Sequence, residues 1–172
     1  LSASTEESDQ YKDGEGRTLS EQLNAAAPAS NTGIRYQDPN RKAYEKKTFM
    51  GKVFITPVEN QELRLGYTLN RSDGVLYPSR MMDADYDDSD IYTFGYSLYN
   101  LGTLSKELSL ETYLSKVEHP MSTRYRNSGA TAYTTVKMFS DVEGATLKHK
   151  MTLFGGELVY GVDASKRHWD GE

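Results

Sequence analysis

Hydrophobic side chains recur at every second position over several separate stretches, and this period of two constrains the fold more than any other feature. From Glu62 to Asn70 the apolar residues occupy odd positions and the polar residues even positions. The same alternation runs through 92–98, 108–115 and 157–163, and less cleanly through 49–58 and 147–153. Successive side chains of a β-strand point to opposite faces, so each stretch predicts a strand with one apolar face. The predicted fold class is all-β.

The connections between these stretches alternate between short and long. Tight turns are predicted at 58–61, 100–105 and 154–156, and long polar loops at 9–45, 71–90 and 119–140. This rhythm is typical of transmembrane β-barrels, whose short turns and long loops lie on opposite sides of the membrane. Strands of about 10 residues also suffice to cross a bilayer when they are tilted. The prediction is an antiparallel up-and-down meander that forms a segment of a transmembrane β-barrel.

Composition excludes several classes of function. Hydrophobic residues make up only 37% of the chain, which suits strands with one polar face better than a thick globular core. The net charge of −5 makes nucleic acid an unfavourable partner, and the lack of Cys excludes disulfides and thiolate metal sites. The sequence contains no nucleophile elbow, phosphate loop or zinc-protease motif. We therefore predict that the protein is not an enzyme and binds no nucleic acid.

Two segments resemble the barrel of TonB-dependent outer-membrane receptors, and among these the copper receptors. They read YTLNRSDGVLYPSRMMDADYDDSDIY at 67–92 and LVYGVDASKRHWD at 158–170. The resemblance covers 45–172 as antiparallel barrel strands, whereas 1–44 fit as a strand end and a long outer loop. It implies a bacterial outer-membrane location, contact with lipid, and a barrel of about 22 strands closed by a plug. Neither the plug nor the TonB box is present in this chain, so TonB contact is expected through a part of the receptor outside it.

The sharpest candidate for chemistry is His119-Pro120-Met121. Residues two apart in a strand point the same way, and the odd positions before His119 are mostly polar, so both side chains are expected to face the barrel interior. Imidazole and thioether together suit Cu(I). The resemblance implies that such a pair acts with Cys and Met of the plug, which predicts His119 and Met121 as copper ligands in the full-length receptor. The alternative is that the two residues meet by chance at a loop entrance.

The remaining candidate residues are expected to have structural roles. Met81 and Met82 are expected to pack beneath a neighbouring loop rather than capture copper. The acidic run from Asp83 to Asp90 lacks the Gly and Glu of a calcium loop, so a solvated acidic loop is favoured. A short helix within 17–31 is predicted, although Ser20 with Leu23 is a poor capping signature. His149 and His168 are assigned no chemical role.

The predicted function is uptake of a metal, with copper first and a metal chelate such as a siderophore as the alternative. A soluble β-sandwich that serves as a surface binding module is the alternative from another class. The two differ in what covers the apolar strand faces, which is lipid in a barrel and a second sheet in a sandwich. For the isolated piece we expect a bend of the sheet, or a second copy in a homo-oligomer, to cover that face.

Overall fold

Strands that follow one another along the chain pair to form one open antiparallel sheet in the computed structural model, which describes residues 1–172. The elements are β1 (Ser2–Ser8), α1 (Leu19–Ala26), β2 (Tyr44–Ile55), β3 (Gln61–Val75), β4 (Asp83–Tyr99), β5 (Ser105–Glu118), β6 (Met121–Ser122), a 3₁₀ helix (Asn127–Gly129), β7 (Thr135–Val136), β8 (Met138–Leu153) and β9 (Gly156–Gly171). The sheet order is β1-β2-β3-β4-β5-β8-β9, and the short β6 pairs with β4 and β7. The all-β antiparallel prediction is confirmed.

The strand register separates the side chains into two faces. Gly66 pairs with Thr93, Thr93 with Tyr113, and Tyr113 with Gly144, which places these residues on one face. This face, which we call the polar face, also carries Lys52, Glu62, Arg64, Ser97, Glu111, Thr146, Lys148 and Asp163. The opposite side, which we call the apolar face, carries Val53, Leu63, Leu65, Tyr67, Tyr92, Phe94, Tyr96, Leu110, Leu114, Leu147 and Val162.

Nothing in the chain covers the apolar face. Val53 and Val162 expose 52% and 69% of their surface, and Leu65, Phe94 and Leu147 are also exposed. The expectation that a bend of the sheet would cover these side chains is therefore wrong, because the long strands form a single layer. Cover by a second copy stays a prediction.

Three tight turns join the strands at one end of the sheet, which we call the turn end. Asn60 and Asn100 adopt positive φ angles of 66° and 54°, a conformation that Asn tolerates better than most residues. The Asn100 side-chain amide donates to Asn60 Oδ1 at 2.7 Å and so links two neighbouring turns. Phe154 and Gly155 form the two-residue turn between β8 and β9, and both have positive φ. The three predicted tight turns are confirmed.

The strands extend further at the opposite end, which we call the loop end, than the sequence pattern predicts. The predicted loop at 71–90 is wrong, because β3 continues to Val75 and β4 begins at Asp83. Both faces are polar there, so no alternation marks the strands. Arg71 stabilises the pairing across them, with its guanidinium 2.7 Å from the carboxylate of Asp90 and 3.4 Å from that of Asp88. The connections at 9–43 and 119–137 remain long.

The single α-helix lies in the first long connection. Thr18 accepts a hydrogen bond from the Glu21 amide, and the Glu21 carboxylate accepts one from the Thr18 amide, which together form a capping box. The N-cap is therefore Thr18 and not Ser20, which is buried within the first turn. No helix of the structure is long and apolar enough to cross a membrane.

Candidate metal-binding site

His119 lies at the loop end, where β5 leaves the sheet. Its backbone amide donates to the Met138 carbonyl at 2.8 Å, so the pairing of β5 with β8 continues one residue beyond Glu118. Its side chain lies over β4, with Nδ1 3.5 Å from Oδ2 of Asp87. Asp87 pairs with Ser72 and belongs to the polar face. The imidazole therefore also stands on the polar face.

Two neighbours orient the His119 ring. The carboxylate of Asp87 attracts Nδ1, and the ring of Tyr77 packs edge-on, with the ring centres 6.0 Å apart and an interplanar angle of 82°. Only 22% of the His119 side chain is exposed. A carboxylate at one ring nitrogen is the arrangement that directs the other nitrogen toward a metal, so Nε2 is the candidate ligand atom. Burial, followed by the charge of Asp87, raises the pKa of Tyr77, which remains a neutral phenol.

Met121 does not share this face. Asp88 pairs with Glu118, but Ala84 pairs with Met121, so the register shifts by one residue across Pro120. Paired residues point to the same side of a sheet, and Ala84 lies on the side opposite to Asp87. Such a shift reverses the side chains that follow it. The expectation that His119 and Met121 point the same way is wrong, while their assignment as metal ligands stays a prediction.

A buried cluster of Tyr36, Asp83 and Arg126, which we call the clamp, fixes the loops beside His119. Arg126 Nε donates to Asp83 Oδ2 at 2.6 Å, and Nη2 donates to the Tyr36 hydroxyl at 2.6 Å. Tyr36 donates in turn to Asp83 Oδ1 at 2.8 Å, and the guanidinium stacks 3.8 Å above the Tyr36 ring. All three side chains are buried. The clamp therefore joins the connections 9–43 and 119–137 to the start of β4.

The clamp also binds backbone groups and so positions the residue that packs on His119. Arg126 donates to the carbonyls of Ile34 and Tyr77, and the Tyr77 amide donates to Asp83 at 2.6 Å. Burial, ahead of the charge of Asp83, raises the pKa of Tyr36. The interpretation of 83–90 as a solvated acidic loop is wrong, because the whole run lies in β4 and Asp83 is fully buried.

The other candidate residues are separated from His119. Met81 is 61% exposed, and its terminal methyl group lies against Gly33 of the first connection. His168 lies in β9 at an exposed edge, and His149 is bonded to two hydroxyl groups near the turn end. The structure assembles no group of three or more His, Cys, Asp or Glu side chains around a metal position. His119 with Asp87 is thus a partial ligand set.

Comparison with known proteins supports the fold. No protein-family model and no curated protein sequence matches the chain. Among solved structures, the fold is similar to that of the copper transporter OprC, with a TM-score of 0.77 and 18% sequence identity. The alignment covers 98% of this chain and 24% of that one, so this chain spans about a quarter of the neighbour's length. The open sheet described here thus matches a segment of a larger fold.

Sequence reasoning missed Asp87 and the clamp. Asp87 was one of five similar acidic residues, and only the pairing of β3 with β4 shows that it shares a face with His119. Arg126 is 43 residues from Asp83 and 90 from Tyr36, within segments that carry no hydrophobic pattern. The signal for the helix start was Thr18 followed three residues later by Glu21.

Proposed function

We propose that this chain is part of a TonB-dependent receptor of the bacterial outer membrane that takes up a metal, with copper as the favoured cargo. The observation that carries the proposal is the fold similarity to a copper transporter over 98% of the chain. The uncovered apolar face and the alternation of tight turns with long connections support a position in the membrane wall. The role is transport and not catalysis.

In this arrangement the two faces of the sheet have different partners. The apolar face contacts lipid acyl chains, and the polar face lines the barrel interior. The loop end lies outside the cell, and the turn end lies in the periplasm. Residues 45–172 supply barrel strands and 1–44 a strand end with an outer loop, while the plug and the TonB contact belong to other parts of the receptor.

His119 would receive the metal near the outer mouth of the barrel. It stands on the interior face with Nε2 directed away from Asp87, and neutral imidazole is a good ligand for copper. Met121 would serve as a second ligand only if metal binding reverses the register shift at Pro120. The remaining ligands would come from the plug.

Substituting His119 with Ala in the full-length receptor is expected to lower copper affinity at least about 10-fold, because it removes the imidazole ligand. Asp87→Asn should also weaken binding, by about 10-fold, since the ring loses the carboxylate that orients it. His168→Ala is the matched control and should bind copper as the unmodified receptor does. Titration of the purified receptor with copper measures all three.

The same titration decides the role of Met121. If Met121→Leu binds copper like the control while His119→Ala does not, His119 acts without this thioether. Unchanged affinity in both His119→Ala and Met121→Leu would refute the copper assignment at this position.

A metal chelate is the second candidate cargo, because the loop end also presents a cationic and aromatic surface. The guanidinium of Arg41 stacks 3.8 Å above the ring of Tyr125, and Arg124 lies 6.0 Å from the rings of both Tyr125 and Tyr133. Arginine and aromatic groups suit an anionic siderophore. Competition between copper and a ferric siderophore for the intact receptor separates the two cargoes.

A further inference from the structure

Three side chains form a hydrogen-bonded chain on the apolar face near the turn end. Ser105 Oγ lies 2.6 Å from His149 Nε2, and the Tyr160 hydroxyl lies 2.7 Å from His149 Nδ1. Tyr160 also packs edge-on against the imidazole, with ring centres 5.2 Å apart. We call these three residues the hydroxyl–imidazole cluster. It is remote from His119, which lies at the opposite end of β5.

The position of the cluster follows from the register. His149 pairs with Leu108 and Tyr160, and the next pair on the same face is Leu147 with Val162. A β-bulge between Ser105 and Glu107 breaks the regular alternation at the start of β5, and the Ser105 hydroxyl reaches His149 from there. The cluster therefore places three polar side chains together on a face that is otherwise rich in Leu, Val and aromatic residues.

An apolar groove of about 470 Å³ adjoins the cluster. Leu101, Leu108, Leu147 and Val162 form its walls, and the three side chains of the cluster stand in it as its polar groups. A groove of this kind provides an apolar slot with a polar end. A phospholipid has the same two parts, namely apolar acyl chains and a polar headgroup.

The protonation chemistry of the cluster leaves a free hydroxyl proton in every state. A neutral imidazole accepts from one hydroxyl and donates to the other, so the accepting hydroxyl still has its own proton to donate. A doubly protonated imidazole donates to both hydroxyls, which leaves two protons free beside a positive charge. Either state suits an anionic acceptor.

No carboxylate of the neighbouring strands opposes an anion here. Glu107 and Glu157 lie on the polar face, on the other side of the sheet, where Glu157 pairs with Lys150 at 2.9 Å. His149 is the basic side chain that faces the groove. Charge therefore favours an anion at the cluster.

We propose that the hydroxyl–imidazole cluster binds the phosphate of a phospholipid whose acyl chain occupies the adjoining groove. This inference rests on the proposed function, because it requires the apolar face to be in contact with a bilayer. The turn end of that face lies where the headgroup layer meets the acyl chains, the level at which Tyr side chains are enriched in membrane proteins. The phosphate accepts from one of the two hydroxyls when His149 is neutral and from both when it is doubly protonated, and His149 holds both hydroxyls in place.

The test uses the full-length receptor in detergent, titrated with dioleoyl-phosphatidylglycerol and followed by native mass spectrometry. The double variant Ser105→Ala with Tyr160→Phe removes only two hydroxyl groups. It is expected to lower the affinity for this lipid at least about 10-fold, which corresponds to the loss of at least one charge-assisted hydrogen bond. Tyr96→Phe is the matched control, because it removes a hydroxyl from the apolar face outside the groove, and it should bind lipid normally.

Two further ligands separate the headgroup from the chains. Dioleoylglycerol has the same acyl chains without the phosphate, and inorganic phosphate has no acyl chain; both are expected to bind at least about 10-fold more weakly than the phospholipid. Equal affinity of the double variant and the Tyr96→Phe control for phosphatidylglycerol would overturn the inference. Equal affinity of the unmodified receptor for phosphatidylglycerol and for either partial ligand would overturn it too.

Failure of the inference is distinguishable from failure of the proposed function. A protein that is monomeric without detergent and does not insert into vesicles contradicts the membrane position itself. A protein that inserts and binds copper, but whose double variant keeps the lipid affinity of the control, contradicts the phospholipid site alone.

Discussion

Substitution of Arg126 with Met is expected to destabilise the loop end by about 3–5 kcal/mol. Methionine preserves much of the side-chain length but leaves the Asp83 carboxylate buried without its cationic partner. The stacking on Tyr36 and the bonds to Ile34 and Tyr77 are lost as well. Few other single substitutions in the chain remove as many buried interactions at once.

Amide hydrogen exchange measures this effect where it arises. The Gln37 amide donates to the Tyr125 carbonyl and the Asn127 amide to the Arg35 carbonyl, so both report on the contact between the connections 9–43 and 119–137. A loss of about 3 kcal/mol or more predicts that exchange at these amides rises about 100-fold. Amides in the middle of β4 should remain protected.

Two further variants show whether the buried charge pair itself holds the loops. Arg124→Met removes a guanidinium two residues away that is not part of the clamp, and it should leave the exchange rates unchanged. Combining Arg126→Met with Asp83→Leu removes both charges, and should restore a large part of the protection because no buried charge remains unpaired. Slow exchange at Gln37 and Asn127 in Arg126→Met would show that the clamp does not hold the loops.

Substitution of Phe94 with Arg is expected to make insertion and folding in vesicles less favourable by about 2–4 kcal/mol. Phe94 pairs with Leu65 near the middle of the apolar face, so in the proposed arrangement an arginine there places its charge among acyl chains. Urea titration of the receptor refolded into phosphatidylcholine vesicles measures the change.

The adjacent residue provides the matched control for this prediction. Thr93 lies on the polar face, one position along the same strand, so in the proposed arrangement Thr93→Arg places the same charge in the aqueous interior. Its cost should stay within about 1 kcal/mol. Equal costs for the two variants, or a larger cost at Thr93, would mean that the two faces have been assigned to the wrong environments.

The strands were predictable wherever one face is apolar and the other polar. The alternation at 62–70 and 92–98 marks the middle of β3 and β4 correctly. It also fixes their pairing, because a register shift of one residue would place the apolar side chains on the opposite face. The ends of these strands were not predictable, because Arg71 and Asp90 lie where both faces are polar. Their pairing is stabilised by charge and by backbone hydrogen bonds, which leave no periodic signal in a single sequence.

The candidate site was predictable only in part. His119 was identified from residue type and parity, and the structure places it on the polar face as expected. The position of Met121 was not predictable, since a register shift depends on how β6 meets β4 and no local pattern encodes it. Pro120 was the only indication of a register shift in the sequence, because proline interrupts regular strand pairing.

The clamp imposes an order on how this part of the protein can assemble. Every long strand pairs with the long strand before it, so the sheet can grow one hairpin at a time. Tyr36 and Arg126, however, belong to the connections 9–43 and 119–137, whereas Asp83 begins β4, so the three can meet only after β5 has been added. The loops at the loop end therefore become fixed late in folding. Until residues 119–137 have been added, Tyr36 and Asp83 lack the arginine that holds them together.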